Sequence, residues 1–242
     1  MAENRRRTRH EREFELVDTR AFAQNAYFDV FVEYAKAAPE DLFVRIVVVN
    51  RGASEATIRV LPTIWFRNRW SWSARVRRPS LHGCGQSGGA SVVSLHDPVY
   101  GPRWLYCGGA PSLLFTENDT NTERLFGWPA TGYFKDGINA AVVDGNMKSI
   151  NPSRIGTKAA ADYACVVPAH GEVTLKLRLT DVAPVDIGAD AFATCDQVMT
   201  DRQAEADDFY AGVIPERLDP DAQMVMRQAF AGCSGRSSSI TT

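Results

Sequence analysis

The sequence predicts a mainly β fold: a large antiparallel β-sandwich of the super-sandwich type, followed by a C-terminal helical linker. Apolar and polar residues alternate in several short segments, and Gly and Pro separate these segments at short intervals. After Asp181 the hydrophobic period changes from two to about 3.6 residues. No helical pattern separates the β segments before that point, which favours a sandwich over βαβ units.

The clearest strand pattern is the segment EVTLKLRL. Its apolar side chains alternate with polar ones, so a strand would place the apolar set on a core and Thr174, Lys176 and Arg178 in water. The segment ATIRVLP repeats the pattern with Ile58 and Val60 inward. The apolar residues facing the core in EVTLKLRL are Val173, Leu175, Leu177 and Leu179.

Other segments complete the β prediction. LFVRIVVVN is apolar on both faces apart from one arginine, as expected of a strand covered on both sides. NRGASEA follows it and has the composition of a hairpin turn, and GCGQSGG is predicted to be a flexible loop. YFDVFVEYA, RWLYCGG and SLLFTEND are further candidate strands.

Two helices are predicted after the β region. The first runs roughly from Ala189 to Gly212, because its apolar residues fall three, four or seven positions apart. The second ends near Gly232; Asp219 can cap it and Pro220 suits its first turn. The apolar stripe of the first helix consists of Phe192, Cys195, Met199, Ala206, Phe209 and Val213.

Bulk composition is that of an ordinary globular chain. Its 242 residues are 45% hydrophobic and 23% charged, and the formal net charge is −2. This balance supports a sizeable core and gives no overall field that favours nucleic acid or an anionic membrane. The N-terminus lacks the apolar region of a secretory signal. We expect a cytoplasmic protein without nucleic-acid or membrane partners. The basic segment RRRTRHER is either a phosphate-binding arm or a solvated leader among acidic residues.

Cysteine and histidine are not spaced for metal binding. The five cysteines form no CxxC motif and the four histidines form no HxxxH motif. We therefore expect reduced thiols, no metal and no cofactor. The cysteines are Cys84, Cys107, Cys165, Cys195 and Cys233, and the histidines are His10, His82, His96 and His170.

The segment PTIWFRNRWSW contains the candidate substrate-binding residues Trp65, Arg67, Trp70 and Trp72. Sugars bind to aromatic faces with polar groups at the rim, so these side chains could line a carbohydrate surface. In the alternative interpretation, the aromatic rings fill the sandwich core and the arginines point into solvent.

The segment FTENDTNTERLFG contains three carboxylates, Glu117, Asp119 and Glu123. Paired carboxylates perform acid and base catalysis in glycosidases. The same composition is typical of a turn after a strand, where Asn and Asp bond their own backbone. Nothing in the spacing places two of these groups at a working separation, so no catalytic residue is assigned.

Several stretches together resemble the N-terminal region of bacterial proteins of glycoside hydrolase family 63, a class of glucosidases and mannosylglycerate hydrolase-like enzymes. The resemblance is carried in order by ENRRRTRHEREFELVDTRAF, YFDVFVEYAKAAPEDLFVRIVVVNRG, LPTIWFRNRWSW, WLYCGG, LLFTENDTNTERLFG, INPSRIGTKAAADY and RQAFAG. It implies a β-sandwich that leads through a helical linker into an (α/α)₆ barrel. In the family the barrel carries the general acid and general base of inverting hydrolysis, and none of those residues has a counterpart here.

The resemblance gives a domain organisation: residues 1–182 form the sandwich, residues 183–232 the linker toward the barrel, and residues 233–242 a tail. Family members continue after RQAFAG with a sequence like LLWSKQFYHY. Deleting one base from the glycine codon of a GC-rich version of that gene yields the observed Cys-Ser-Gly-Arg-Ser-Ser-Ser ending. We therefore hypothesise a frameshift after Gly232, with a natural disordered terminus as the alternative.

Three functions stay open on the sequence. The chain is the non-catalytic N-terminal domain of a glucosidase-type hydrolase, inactive as this fragment; or a stand-alone carbohydrate-binding module; or an inert fragment. The sequence specifies neither the sugar nor the linkage.

Overall fold

The computed structural model describes residues 3–73 and 75–237, with side chains as far as Gly232. Within this part of the chain there are eleven β-strands and four α-helices. The strands are β1 (Phe28–Ala38), β2 (Asp41–Asn50), β3 (Ala56–Val60), β4 (Thr63–Trp65), β5 (Ser80–Ser87), β6 (Ala90–Asp97), β7 (Gly101–Gly108), β8 (Ser112–Thr116), β9 (Ile155–Gly156), β10 (Lys158–Val167) and β11 (Glu172–Thr180). The helices are α1 (Thr122–Phe126), α2 (Gly137–Val143), α3 (Cys195–Val213) and α4 (Pro220–Ser237).

The strands form two antiparallel sheets, which confirms the predicted β-sandwich class. The larger sheet has seven strands in the order β1-β2-β11-β7-β6-β5-β9. In the smaller, four-stranded sheet, β10 pairs with β3, β4 and β8. No described helix is long and apolar enough to cross a bilayer.

The core lies between the facing sides of the two sheets. Leu175 and Leu177 of β11 are buried in it, and Ile58 and Val60 of β3 pack against it. This confirms the inward faces predicted from the period of two. The other buried members of this cluster are Ile46, Val48, Leu81, Val93, Leu95, Leu105, Cys107, Phe115, Ala159, Ala161, Tyr163, Cys165 and Val167.

The outer face of β11 departs from the prediction, because Arg178 does not lie in water. Its guanidinium donates from Nε and Nη2 to the two carboxylate oxygens of Asp41, at 2.8 and 2.7 Å. It also lies 4.9 Å from the centre of the Phe43 ring and donates to the Ala191 carbonyl. Both charged side chains are mostly buried, at 15% and 14% exposure. β11 is a central strand, and a later segment of the chain packs over its outer face. The alternation of apolar and polar residues in β11 predicts only one buried face, but both faces are covered.

The chain after β11 provides that cover. Ile187 and Ala191 are buried against Ala90, Val92 and Tyr106 on the outer face of the larger sheet. The Tyr106 hydroxyl donates to the Val182 carbonyl at 2.8 Å, and burial raises the pKa of this phenol to about 12. The segment after Ala189, which was predicted to begin the first helix, therefore packs against the larger sheet, and α3 begins later, at Cys195.

The predicted hairpin after β2 is wrong. β2 pairs with β1 and β11, whereas β3 pairs with β10, so the connection crosses from one sheet to the other. Asn50 holds the crossing: its amide nitrogen donates to the carbonyls of Ser54, Val167 and Pro168, and its oxygen accepts from the Gly52 amide. Local composition identified the turn but did not specify which strands it joins.

The predicted loop GCGQSGG is also wrong, because most of it is strand β5. The strand contains an irregularity between Gly83 and Gly85, and it turns directly into β6 through Gly88 and Gly89. Both turn glycines have positive φ, 55° and 73°. Two-residue hairpin turns of this kind need a left-handed backbone at both positions, which glycine adopts without strain.

The chain divides into two compact units, Met1–Ala193 and Thr194–Thr242. The domain boundary expected at Val182 stays a prediction, with the outer-face packing segment lying in the first unit. In the second unit, α4 continues to Ser237, past the predicted end at Gly232. Residues 238–242 of the predicted tail, and the side chains of residues 233–237, lie outside the described part of the chain.

Gly156 provides a test of close backbone packing between β9 and β8. A Cβ atom built at this position would fall on the carbonyl oxygen of Thr116, well inside van der Waals contact. We expect Gly156→Ala to lower the free energy of unfolding by roughly 3 kcal/mol, because the obstacle is backbone and cannot rotate away. A urea titration followed by circular dichroism measures it. Gly212→Ala is the control: it meets nothing within 4 Å in helix α3 and should stabilise by about 0.5–1 kcal/mol. Equal effects of the two variants would contradict the packing.

The Arg178 ion pair provides a second test. Arg178→Ala leaves the Asp41 carboxylate mostly buried without its partner, so we expect a loss of about 3 kcal/mol in the free energy of unfolding. The matched control is Arg51→Ala, which removes the more exposed pair with Asp29 and should cost less than about 1 kcal/mol. Both are measured by urea unfolding of the full chain. An Arg178→Ala loss as small as the control would refute a supporting role for the buried pair.

Candidate functional site

The candidate site begins on the outer face of the smaller sheet. Ile64 and Phe66 pack against the core, so Trp65 between them points the opposite way, and this residue is 57% exposed. Trp65 is paired with Lys158 of β10. The alternation that fixes β4 in the core therefore also places a tryptophan on the surface.

A turn held by Asn68 carries the remaining aromatic residues. The Asn68 side-chain oxygen accepts from the Ser71 amide at 3.1 Å, which closes the turn. Its amide nitrogen donates to Asp119 Oδ1 at 2.5 Å and to the Asn118 carbonyl at 3.3 Å. One asparagine thus fixes the turn that contains Trp70 and joins it to the loop after β8.

Arg78 brings two of the predicted carboxylates together. Its Nη2 atom lies 2.8 Å from Glu117 Oε2 and 3.1 Å from Asp119 Oδ2. Its guanidinium carbon also lies 5.5 Å from the centre of the Trp70 ring, within cation–π range. The buried Thr157 hydroxyl donates to the same Glu117 oxygen at 2.7 Å. We call Arg78, Glu117 and Asp119 the acidic cluster.

The shared contact of the two carboxylates bears on catalysis. Glu117 Oε2 and Asp119 Oδ2 both contact one nitrogen of Arg78, so the guanidinium lies where an inverting glycosidase needs space for its water molecule. Each carboxylate is also engaged in a structural contact, Glu117 with Thr157 and Asp119 with Asn68. Glu123 lies apart in the first turn of α1, where its charge complements the helix dipole. The cluster is built to hold loops together.

The four predicted substrate-binding residues have different environments. Trp72 is 72% exposed, and the guanidinium carbon of Arg67 lies 5.8 Å from its ring centre. Trp70 is half-buried, and its indole Nε1 is buried without a hydrogen-bond partner among the described residues. Phe66, in contrast, packs against the core. The segment thus divides between the two interpretations: Phe66 serves the core, whereas Trp65 and Trp72 are on the surface. We call Trp65, Arg67, Trp70 and Trp72 the aromatic patch.

Sequence reasoning missed Arg78 and Thr157. Arg78 belongs to a run of arginines with no periodic pattern, and Thr157 lies forty positions from the Glu117 that it binds. The signal that was available was the polar residue Asn68 within an aromatic segment, because an amide there suits a turn.

The thiols and acidic groups form no metal-binding cluster in the described part of the chain. No group of three His, Cys, Asp or Glu side chains converges there. Burial raises the pKa of Cys107 to about 12 and also raises the pKa of Cys165, so both remain thiols at neutral pH. Cys84 is exposed.

A cavity of about 300 Å³ is lined in part by Phe66, which lies between Trp65 and Arg67 in the sequence. Leu42, Leu95 and Leu179 line it, and the ion pair between Arg103 and Glu40 lies at its edge. Its size is at the lower end of ligand pockets. The other charged residues of its lining are Lys36, Asp41 and Asp97, and Asp41 is engaged by Arg178 outside the lining.

Comparison with known proteins gives one distant relation. No protein-family model matches the chain. The chain is similar to uncharacterized protein YMR196W of Saccharomyces cerevisiae, at 27% identity over 270 aligned residues. The alignment covers 95% of this chain and 25% of the yeast protein, so the chain spans about a quarter of that relative's length. The name of the yeast protein states no activity, and the similarity therefore adds none.

The contacts of Arg78 with both carboxylates indicate that this residue stabilises the fold. Arg78→Ala leaves two carboxylates facing each other without their shared cation, and we expect the melting temperature to fall by about 2–4 °C. Differential scanning calorimetry measures it. Arg77→Ala is the control, since Arg77 is also exposed and has no ion pair in the described structure. In the double variant with Asp119→Asn the loss should be less than additive. Full additivity would show that the contact is not energetically coupled.

Proposed function

We propose that this chain is the non-catalytic β-sandwich region of a glucosidase-type glycoside hydrolase, and that the aromatic patch holds a carbohydrate chain. The stretches from ENRRRTRHEREFELVDTRAF to RQAFAG that resemble glycoside hydrolase family 63 support the hydrolase lineage. In that family the hydrolysis belongs to the barrel, and the resembling stretches belong to the region that precedes it. The proposal assigns this chain contact with substrate and no chemistry of its own.

The observation that carries the proposal is the exposure of Trp65 and Trp72, at 57% and 72%. A large aromatic ring in water is unfavourable unless a partner covers it, and the C–H faces of a sugar ring pack well on such a surface. Arg67 lies beside Trp72, and Arg78 of the acidic cluster lies over Trp70, so polar groups are near these two rings. Aromatic surface with polar groups at its rim is the composition that sugar recognition needs.

The shared contact of Glu117 and Asp119 with Arg78 supports the non-catalytic part of the proposal. An inverting hydrolase needs room for a water molecule between its base and the sugar. Here the two carboxylates share the Arg78 guanidinium, which occupies that space. The alternative, a stand-alone carbohydrate-binding module, rests on the same aromatic patch and differs only in needing no barrel.

Sugar binding is tested by isothermal titration calorimetry of the purified chain with maltotetraose, an α-glucosidic oligosaccharide. We expect saturable binding that Trp72→Ala weakens at least tenfold, because the lost stacking contact is worth roughly 1.5 kcal/mol. Trp72 is chosen because its exposure allows replacement without opening the core.

Trp128→Ala is the matched control, since Trp128 is similarly exposed, at 65%, and contacts Phe126 instead of the aromatic patch. Its binding constant should equal that of the parent chain. Loss of binding in Trp128→Ala alone would place the sugar elsewhere, and absence of binding would leave an inert fragment. Hydrolysis of an aryl α-glucoside by the purified chain would refute the non-catalytic assignment.

A further inference from the structure

The edge strand β1 carries an unusual amount of exposed apolar surface. Val30, Phe31, Val32 and Tyr34 are 48%, 51%, 45% and 68% exposed, within five consecutive positions. β1 is the first strand of the seven-stranded sheet and pairs only with β2 among the described strands. An edge strand presents unpaired backbone N–H and C=O groups, and natural proteins usually protect such an edge with charge, proline or a bulge.

Both faces of β1 contribute to this surface. Val32 is opposite Ile46 of β2, and Ile46 belongs to the core, so Val30, Val32 and Tyr34 point to the core side of the sheet. Their exposure shows that this part of the core-side face is left uncovered. Phe31 is opposite Val47 and points to the outer side.

The charges on β1 are arranged so that they do not protect the edge. Asp29 pairs with Arg51 and Glu33 pairs with Arg45, each at 2.6 Å, and both arginines lie on or next to the neighbouring strand β2. The carboxylates are therefore neutralised from inside the sheet. The single lysine of the strand, Lys36, lies near its far end, next to a register irregularity between Lys36 and Ala38.

We propose that two copies of this chain associate through antiparallel pairing of their β1 strands, with Val32 on the two-fold axis. A two-fold axis perpendicular to the sheet leaves each side chain on the same face of the sheet. Residues opposite each other must share a face, so in every allowed register one residue lies opposite its own copy at the axis. Centring on Val32 places Val30 opposite Tyr34 of the second copy, and Phe31 opposite its Glu33. Apolar surface then covers apolar surface on the core side, and no two carboxylates are directly opposite.

The neighbouring registers are less favourable. Centring on Phe31 places Asp29 opposite Glu33 of the second copy, and centring on Glu33 places the two Glu33 carboxylates opposite each other. Like charges directly opposite in a sheet are destabilising. Centring on Tyr34 requires pairing with the irregular end of the strand after Lys36. It also places Val30 and Phe31 opposite alanines. Charge and side-chain size thus favour one register.

Association stops at two copies. The opposite edge of the larger sheet is β9, which has only two residues, Ile155 and Gly156. Such a short strand cannot template a further sheet. Because the contact uses the same strand on both copies, it is isologous and closes as a dimer instead of growing into a fibre.

The first test is the oligomeric state of the full chain, measured by sedimentation velocity over a range of concentrations. We expect a monomer–dimer equilibrium. Val32→Lys places two ammonium groups opposite each other at the axis, and it should raise the dissociation constant at least about 100-fold. The control Val185→Lys alters a valine that is 89% exposed and lies outside the sheets, and its equilibrium should match the parent's. A parent chain that is monomeric throughout, or equal effects of the two variants, would overturn the proposal.

The second test fixes the register and does not depend on a destabilising change. In a Cys84→Ser, Cys233→Ser background, Val32→Cys should form an intermolecular disulfide on mild oxidation, because opposed Cβ atoms are about 4.5–5.5 Å apart. Val30→Cys alone should not, whereas a mixture of Val30→Cys with Tyr34→Cys should cross-link. Self-linkage of Tyr34→Cys without that of Val32→Cys would refute the Val32 register. Circular dichroism of each variant confirms that the fold is kept.

Discussion

The contact between Arg178 and Asp41 is the constraint on which the larger sheet depends. It places a cation on the outer face of a central strand, where the neighbouring ring of Phe43 is fully buried. A charge in that position needs a carboxylate and further acceptors close by, because desolvation is otherwise costly. Asp41 supplies the carboxylate and the Ala191 carbonyl supplies another acceptor. The same residue therefore joins β2 to β11 and fixes the chain that covers them.

The segment that covers the outer face of the larger sheet also determines where helix α3 begins. The chain after Val182 lies over Ala90 and Val92 and begins its helix only at Cys195. The smaller sheet is covered in a similar way by α2, since Ile138 and Ala141 pack on Leu114 and Ala160. Each sheet thus has a second, smaller cluster outside the central core. Neither cluster reaches β1, whose apolar residues Val30, Phe31, Val32 and Tyr34 are exposed.

The sequence predicted the fold class and the inward faces because alternation in β3 and β11 is a local signal. It could not predict that NRGASEA crosses between sheets, since the partners that decide this, β10 and β11, lie more than a hundred residues further on. The strand character of GCGQSGG was hidden for a different reason. Glycine has low strand propensity, and only pairing with β6 makes the segment a strand. In the candidate site, the sequence indicated the tryptophans as a group, but it did not indicate that Arg78 joins Trp70 to two carboxylates.

The pairing of β2 with β11 has a consequence for how the chain acquires its structure. Val49 is opposite Glu172, and Leu42 is opposite Leu179, so these partners are separated by most of the first unit. During synthesis the hairpin of β1 and β2 emerges early, while the strand that completes its hydrogen bonding is translated much later. For that interval β2 lacks its inner neighbour, and its Val-rich sequence is open to wrong partners.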